Sequence, residues 1–300
     1  AQGASTVMKQ QFPDRLMQAV KAKDSRVCAG LDPRPELLPP DLSNTSDVVE
    51  ATVRFCCGII EAIAPYAVCV KPQAAFFEAL APDGLAAMWR VIEYAKQHGL
   101  LVILDAKRGD ISSTAQAYAR ACFGLHNQAS PAAAPDAVTV NPYMGADTIE
   151  PFLDVADSVQ GGLFVLVKTS NPGSGDLQDL KTDCGHVYEK VSDMVCGWAD
   201  QRTGECGYSS VGAVVGATYP EQLAELRCRM PRSILLVPGY GAQGSGARDV
   251  AAAFDADGLG AVVNSSRGIM YAYRQADQNW RQAAARAAGT MREDLNSVLH

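Results

Sequence analysis

One short run of the chain carries ionisable side chains in a spacing that could do chemistry. Asp105, Lys107 and Asp110 lie in the sequence Leu-Asp-Ala-Lys-Arg-Gly-Asp-Ile, directly after the apolar run 100–104, which is typical of a buried strand. Because side chains alternate along a strand, we expect Asp105 and Lys107 on the same side. An ammonium held beside a carboxylate stays charged and can stabilise negative charge that develops in a reaction.

A second lysine, Lys71, follows the apolar run 67–70. Successive strands of an α/β fold are usually neighbours, about 4.8 Å apart, so Lys71 is expected beside Asp105. The prediction is a row, Lys71–Asp105–Lys107, in which each charge keeps its neighbour ionised. The residues leave two interpretations of Asp110 open: it belongs to this site, or it only caps a helix that starts at Ile111.

Near the end of the chain, a second group of residues is suited to an anion. The run 238–246, Pro-Gly-Tyr-Gly-Ala-Gln-Gly-Ser-Gly, holds four glycines, which let backbone N–H groups approach a ligand. Arg267, after the last apolar run, adds a forked donor. The loops after the last two strands of α/β barrels commonly hold phosphate, which favours a phosphate site over a merely flexible loop.

Repeated strands and helices must position these residues. Continuously apolar runs, typical of strands buried on both faces, alternate with amphipathic stretches along the chain. One such stretch, from Val49 to Ile63, is predicted to be a helix capped by Ser46 or Asp47 and stopped by Pro65. The eight strand candidates are 27–31, 67–70, 100–104, 137–140, 163–167, 211–215, 234–237 and 261–263.

Eight strand–helix repeats predict an α/β protein, a single-domain (β/α)8 TIM barrel over residues 8–300. An open, doubly wound sheet is the alternative, because periodicity does not report closure. Segments 127–135 and 173–208 exceed a minimal repeat and are interpreted as surface elaborations, the second a loop and helix insertion with its helix near 188–199. Residues 1–7 are interpreted as an added extension ahead of Met8.

Composition limits the classes of function. The net charge of −7 argues against non-specific binding to nucleic acid, and no long basic run suggests a membrane surface. No apolar run approaches about 18 residues, so the expected location is the cytoplasm. Nine cysteines without a C-x-x-C pair indicate reduced thiols, and the four histidines show no metal-ligand spacing.

Six sequence elements, in order, resemble the orotidine 5′-phosphate decarboxylases, more closely their longer bacterial-type branch, over residues 12–273. The D-x-K-x-x-D element alone is shared with related sugar-phosphate enzymes, whereas all six together are highly specific. The elements are Leu31-Asp32, Val70-Lys71-Pro72, the run 105–111 with Thr114, Ser170-Asn171-Pro172-Gly173, the run 238–244 and Arg267.

The resemblance implies a cofactor-free enzyme, without a metal, that decarboxylates orotidine 5′-monophosphate in pyrimidine synthesis. Asp105 would lie against the substrate carboxylate, and Lys107 would deliver a proton to C6. In this family, Asp110 and Thr114 reach into the partner's site, which implies a homodimer. For the nucleotide, the resemblance implies Asp32, Lys71 and Thr114 on the ribose, Ser170 on the base, Gln243 on base and phosphate, and Arg267 on the phosphate beside Pro238, Gly239 and Gly244 of the loop.

Three rival functions remain open. A metal-dependent sugar-phosphate lyase or aldolase would use Asp105 and Asp110 around Mg²⁺, but it would not need the base-contacting Ser170 and Gln243. A Schiff-base aldolase would use Lys71, Lys107 or Lys168. Flanking carboxylates argue against it, because they keep lysine protonated rather than nucleophilic. The non-enzymatic alternative is a nucleotide-binding barrel that has lost its activity.

Overall fold

The computed structural model describes residues 10–125, 133–241, 245–275 and 279–299. Eight parallel strands close into a barrel in the order β1-β10-β9-β8-β5-β4-β3-β2, while β6 and β7 form a separate antiparallel pair. The strands are β1 (Val27–Leu31), β2 (Cys69–Pro72), β3 (Leu101–Arg108), β4 (Ala137–Val140), β5 (Gly162–Lys168), β6 (Lys181–Thr182), β7 (Gly185–His186), β8 (Ser209–Val215), β9 (Ser233–Val237) and β10 (Ala261–Ser265). The predicted (β/α)8 barrel is confirmed, and the open sheet is excluded.

Helices surround the barrel. The predicted helix after Asp47 is confirmed, and Asp47 caps it by accepting a hydrogen bond from the backbone N–H of Glu50 at 2.9 Å. The α-helices of the described residues are α1 (Phe12–Lys23), α2 (Pro40–Ser43), α3 (Val48–Ile63), α4 (Ala74–Glu78), α5 (Ala81–Gln97), α6 (Ser112–Cys122), α7 (Glu150–Val159), α8 (Gly175–Gln178), α9 (Val187–Ala199), α10 (Pro220–Arg229), α11 (Ala247–Val250), α12 (Arg267–Met270) and α13 (Trp280–Ser297).

All eight predicted strands are present, and four of them, β2, β3, β5 and β10, continue past their predicted carboxyl ends. β3 continues to Arg108, and β2 continues to Pro72, so that Asp105, Lys107 and Lys71 lie within strands rather than in the loops after them. The reason is that backbone pairing continues past the apolar residues: Arg108 of β3 still pairs with Val140 of β4. The ionisable side chains are therefore held by the barrel wall itself.

Helix α1, which was not predicted from the sequence, closes the amino-terminal end of the barrel. Its buried residues Phe12, Leu16, Met17 and Val20 pack in one cluster with the residues of the barrel interior. The Phe12 ring meets the Phe164 ring edge to face, with centroids 5.9 Å apart. A Cβ atom at Gly162, at the start of β5, would come within 2.3 Å of the Phe12 ring. Glycine at this position therefore allows the ring to enter.

The elaboration after β5 consists of α8 and the β6–β7 pair, which together span residues 175–186. Helix α9, which lies in the range predicted for a helix, buries Tyr188 and Val195 and packs against β5 and β8 as an outer helix of the barrel. The other predicted elaboration, 127–135, falls mainly outside the described residues, as do residues 1–7. The domain limits 8–300 therefore stay a prediction.

Among the described residues, none of the helices combines the length and the apolar character needed to span a bilayer. All nine cysteines lie without a disulfide bond in the structure. Cys184 and Cys228 are exposed, whereas Cys28 and Cys69 are buried in the barrel strands.

Candidate active site

The carboxyl-terminal ends of the barrel strands open into a cavity of about 780 Å³. A volume of this size is ordinary for a site that binds a small molecule. The lining comes from the ends of five strands and the loops after them, β1, β5, β8, β9 and β10, and it includes Asp32, Ser170, Gly239 and Arg267. Four residues that were predicted on separate loops therefore share one cavity.

The predicted row of charges is formed at this end of the barrel. The Lys71 Nζ atom lies 2.6 Å from Asp105 Oδ2, and the Lys107 Nζ atom lies 2.5 Å from Asp105 Oδ1. Lys71 and Asp105 are buried, at 5% and 4% exposure, whereas the Lys107 side chain is 45% exposed. Lys107 is thus the member of the row that a ligand can reach most readily.

The two buried members of the row hold each other ionised. Burial acts to raise the pKa of Asp105, but the ammonium groups of Lys71 and Lys107 outweigh it and bring that pKa below its ordinary value. Burial also acts to lower the pKa of Lys71, but the carboxylates of Asp105 and Asp32 outweigh it and bring that pKa above its ordinary value. At neutral pH, Asp105 is therefore an anion and Lys71 a cation.

Two neighbours of Asp105 were missed by the sequence reasoning. Gln73 Nε2 donates to Asp105 Oδ2 at 3.0 Å, and the Thr139 hydroxyl donates to Oδ1 at 2.9 Å. Thr139 also accepts from the backbone N–H of Lys107 at 2.9 Å. Both left a signal: Gln73 stands two residues after Lys71, and Thr139 is a polar residue in an apolar strand. Four side chains therefore donate to one carboxylate.

The backbone at Lys107 is unusual. Its φ angle is +48°, in the left-handed region that side chains other than glycine rarely adopt. The pairing of β3 with β4 shifts register between Leu104 and Arg108, so the strand is irregular across this stretch. Asp105 and Lys107 do meet as predicted, but through this local distortion rather than regular alternation. Strained backbone of this kind is concentrated at functional sites.

Asp110 and Thr114 lie apart from the row. Asp110 Oδ1 accepts a hydrogen bond from the adjacent backbone N–H of Ile111 at 2.8 Å. Helix α6 begins at Ser112, and its first backbone groups receive no side-chain cap from Ile111. Thr114 is exposed on the first turn of this helix. Neither residue lines the cavity of this chain, and their predicted contribution to a partner's site stays a prediction.

The side of the cavity that was predicted to bind phosphate presents an exposed cation to a ligand. Arg267, the first residue of α12, is exposed and has no ion-pair partner among residues 10–125, 133–241, 245–275 and 279–299. Gly239 and Gly241 have φ angles of +101° and +73°, a conformation that favours glycine. Pro238 stands behind the lining, where its carbonyl accepts from the Ala217 N–H at 2.9 Å. The predicted ligand-binding residues Gln243 and Gly244 lie outside the described residues.

Asp32 offers an acceptor without a partner. Its Oδ1 atom is buried and receives no hydrogen bond within the described part of the chain. Its backbone carbonyl accepts from the Tyr271 hydroxyl at 2.9 Å, and the same hydroxyl accepts from the Arg34 N–H at 2.8 Å. The tyrosine therefore fixes the loop after β1 while one carboxylate oxygen stays available. A buried polar atom without a partner in a cavity is typical of a ligand contact.

Comparisons with known proteins identify relatives of this chain. A model of the orotidine 5′-phosphate decarboxylase / HUMPS family matches residues 25–283. The orotidine 5′-phosphate decarboxylase of Rhodopirellula baltica is 51% identical over 300 residues, covering 95% of this chain and 98% of the relative. That of Deinococcus radiodurans is 43% identical over 289 residues, covering 96% and 98%.

A solved structure of Leishmania donovani OMP decarboxylase superimposes with a TM-score of 0.76 at 38% identity, covering 96% of this chain and 98% of that one. The range that the family model matches, residues 25–283, includes all eight barrel strands and the loops that line the cavity. The chain therefore belongs to the orotidine 5′-phosphate decarboxylase / HUMPS family.

Proposed function

We propose that this chain decarboxylates orotidine 5′-monophosphate to uridine 5′-monophosphate and CO2, with Lys107 as the proton donor to C6. Its family and its curated relatives make it a carboxy-lyase. The observation that carries the proposal is the row of Lys71, Asp105 and Lys107, held at the same end of the barrel as the cavity that Arg267 lines. The row of charges suits the reacting carbon, and Arg267 suits the phosphate.

The chemistry requires a positive charge beside C6. When the bond from C6 to the carboxylate breaks, its electron pair stays on C6, and the ring carbonyls do not delocalise it directly. In the proposed complex, the Lys107 ammonium faces this charge and then transfers a proton from Nζ to C6, which leaves a neutral amine for solvent to protonate again. A fixed charge that needs no rearrangement during the reaction is usually the largest catalytic contribution.

Asp105 positions both ammonium groups. Four donors fix its carboxylate, so it holds the Lys107 Nζ atom in place without leaving an unpaired oxygen of its own. In the proposed complex its charge opposes the substrate carboxylate, and this repulsion is relieved as CO2 leaves. Lys71 offsets part of the negative charge and is available to a ribose hydroxyl.

The remaining predicted residues bind the nucleotide in this proposal. The free Oδ1 of Asp32 accepts from the ribose, Ser170 contacts the base, and Arg267 with the backbone at Gly239 binds the phosphate. Pro238, Gln243 and Gly244 complete the phosphate loop. Asp110 and Thr114 act in the site of a partner subunit, so the active form is a homodimer. The enzyme works in the cytoplasm, in pyrimidine synthesis, without a cofactor.

The test is an ultraviolet assay of orotidine 5′-monophosphate consumption after exhaustive treatment with EDTA. We expect an unchanged rate, because every proposed step uses side chains of the protein. Loss of activity with EDTA, restored by Mg²⁺, would instead support the metal-dependent lyase. Borohydride trapping with substrate checks the Schiff-base alternative. We expect no adduct, because the raised pKa of Lys71 keeps its amine protonated and the Lys168 amine is bonded to Asp179.

A further inference from the structure

Lys168, the third lysine at a strand end, does not line the cavity. It is the last residue of β5 and is 1% exposed. Its Nζ atom lies 2.6 Å from Asp179 Oδ1, and it lies 4.9 Å from the centre of the Tyr219 ring and 5.8 Å from that of Tyr188. A buried ammonium needs a counterion, and here a residue of the elaboration after β5 supplies it.

A local irregularity of β5 directs Lys168 to this place. Phe164 and Leu166 belong to the cluster inside the barrel, so regular alternation would direct Lys168 inward as well. The pairing of β5 with β8 shifts register between Leu166 and Lys168, and the side chain packs instead against Tyr188, a member of the outer core. The elaboration is thereby fastened to the end of the strand that leads into the cavity.

Gln178, the residue before Asp179, makes two hydrogen bonds to Thr169, the residue after Lys168. Its Oε1 atom accepts from the Thr169 backbone N–H at 2.9 Å, and its Nε2 atom donates to the Thr169 hydroxyl at 2.9 Å. The same hydroxyl donates to Asn171 Oδ1 at 2.6 Å. The residues on both sides of Ser170 are therefore tied to each other and to α8.

Ser170 itself is confined by close packing. Its carbonyl accepts from the Thr218 hydroxyl at 3.3 Å. A Cβ atom at Gly216 would come within 2.9 Å of the Ser170 Cβ, and one at Gly239 would lie 3.6 Å from it. Ser170 thus lines the cavity and packs closely against two glycines, Gly216 and Gly239.

We propose that Gln178 and Asp179 are positioning residues that fix the Ser170 hydroxyl for contact with the amide edge of the pyrimidine. The proposal rests on the proposed function, because it assigns the base to Ser170. Neither Gln178 nor Asp179 lines the cavity, so any effect on the ligand must pass through Thr169 and Ser170. The elaboration after β5 then serves base recognition rather than being a surface addition only.

The test compares two ligands that differ in the base. Binding of uridine 5′-monophosphate and of ribose 5-phosphate is measured by calorimetry for the wild type and for Gln178→Ala. We expect about tenfold weaker binding of the nucleotide, the scale of one hydrogen bond, and unchanged binding of the sugar phosphate. Gln97 is an exposed glutamine on α5, and Gln97→Ala is the matched control. This variant should bind both ligands as the wild type does.

A double variant separates positioning from general loosening. In a Ser170→Ala background, Gln178→Ala should cause no further loss of nucleotide binding, because the contact that it positions is already gone. Additive losses, equal losses for both ligands, or wild-type binding by Gln178→Ala would each overturn the proposal. If Gln178→Ala fails to fold, Asp179→Asn is measured in the same way, with Asp176→Asn of the same segment as its control.

The outcome is independent of turnover. Both ligands are inert, so the binding measurements decide on positioning even if the wild type fails to consume orotidine 5′-monophosphate. That failure would refute the proposed function alone. An active wild type whose Gln178→Ala variant binds the nucleotide normally would refute the positioning role alone.

Discussion

The two sides of the active site differ in how far their polar groups are satisfied before a ligand arrives. On one side, the Asp105 carboxylate already accepts from four side chains, and Lys71 is buried against it. On the other side, the Asp32 Oδ1 atom has no partner within the described part of the chain, and Arg267 is exposed. Under the proposed function, the reacting side is organised in advance, whereas the binding side is completed by its ligand. Changes on the first side should therefore affect catalysis or folding, and changes on the second should affect affinity.

Lys107→Ala should produce the largest effect and gives the sharpest test of this division. Without the ammonium, turnover of orotidine 5′-monophosphate should fall by about a thousandfold or more, since both the charge and the proton at C6 are lost. Binding of uridine 5′-monophosphate should change by no more than a few-fold. Steady-state kinetics and calorimetry measure the two quantities. Lys190→Ala, an exposed lysine on α9, is the control, and near-normal turnover by Lys107→Ala would refute the proton-donor role.

Asp105→Asn tests how much the row of charges contributes to the stability of the fold. Removing this charge leaves Lys71 buried beside a neutral amide, and the free energy of unfolding at pH 7 should fall by about 3 kcal/mol. Chemical denaturation measures this difference, with Asp154→Asn on an exposed face of α7 as the control. A variant as stable as the wild type would show that the row is not organised by its own charges.

The stability difference between wild type and Asp105→Asn should also depend on pH. The pKa of Asp105 is lowered by folding, so its contribution is present above about pH 4, the ordinary value for aspartate, and is lost as the pH falls toward the lowered pKa. The pKa of Lys71 is raised by folding, so its contribution is present below about pH 10 and is lost as the pH rises through the raised value. The difference should be widest between these limits, and a difference independent of pH would contradict the ionic description.

Arg267→Ala changes the side of the site that is proposed to bind the nucleotide. Of the three variants, it should have the smallest effect. Loss of one charge-assisted contact to phosphate, about 2 kcal/mol, should raise KM for orotidine 5′-monophosphate roughly thirtyfold and lower kcat less. The nucleoside orotidine, which has no phosphate, should react at the same rate in variant and wild type. Arg274→Ala, which removes a nearby exposed arginine that does not line the cavity, is the control. An equal loss with orotidine would mean that Arg267 does not bind the phosphate.

General rules of strand geometry account for the features that the sequence predicted correctly. Eight buried strands implied the barrel, and the neighbouring positions of β2 and β3 placed Lys71 beside Asp105. The same rules gave no reason to distinguish Lys168 from Lys71 and Lys107 as a lysine available for chemistry at a strand end. Its position depends on a register shift in β5 and on Asp179, eleven residues along the chain, and neither is visible in hydrophobic periodicity.

Other features were beyond prediction because they depend on tertiary packing. Helix α1 is amphipathic, but nothing in its pattern says that its apolar side enters the end of a barrel. The strained backbone of Lys107 is imposed by its surroundings, since an isolated lysine would avoid that conformation. The roles of Gln243, Gly244, Asp110 and Thr114 depend on residues outside the described ranges or on a second subunit, and they stay predictions.

The helix that closes the far end of the barrel has a consequence for traffic through the site. Within the described residues, Phe12 and its neighbours fill that end, so the barrel is accessible from the carboxyl-terminal ends of its strands only. In the proposed reaction, the nucleotide must enter, and both products must depart, by the same route. Bound uridine 5′-monophosphate therefore prevents the next substrate molecule from binding. Product that accumulates should inhibit the enzyme in a purely competitive manner.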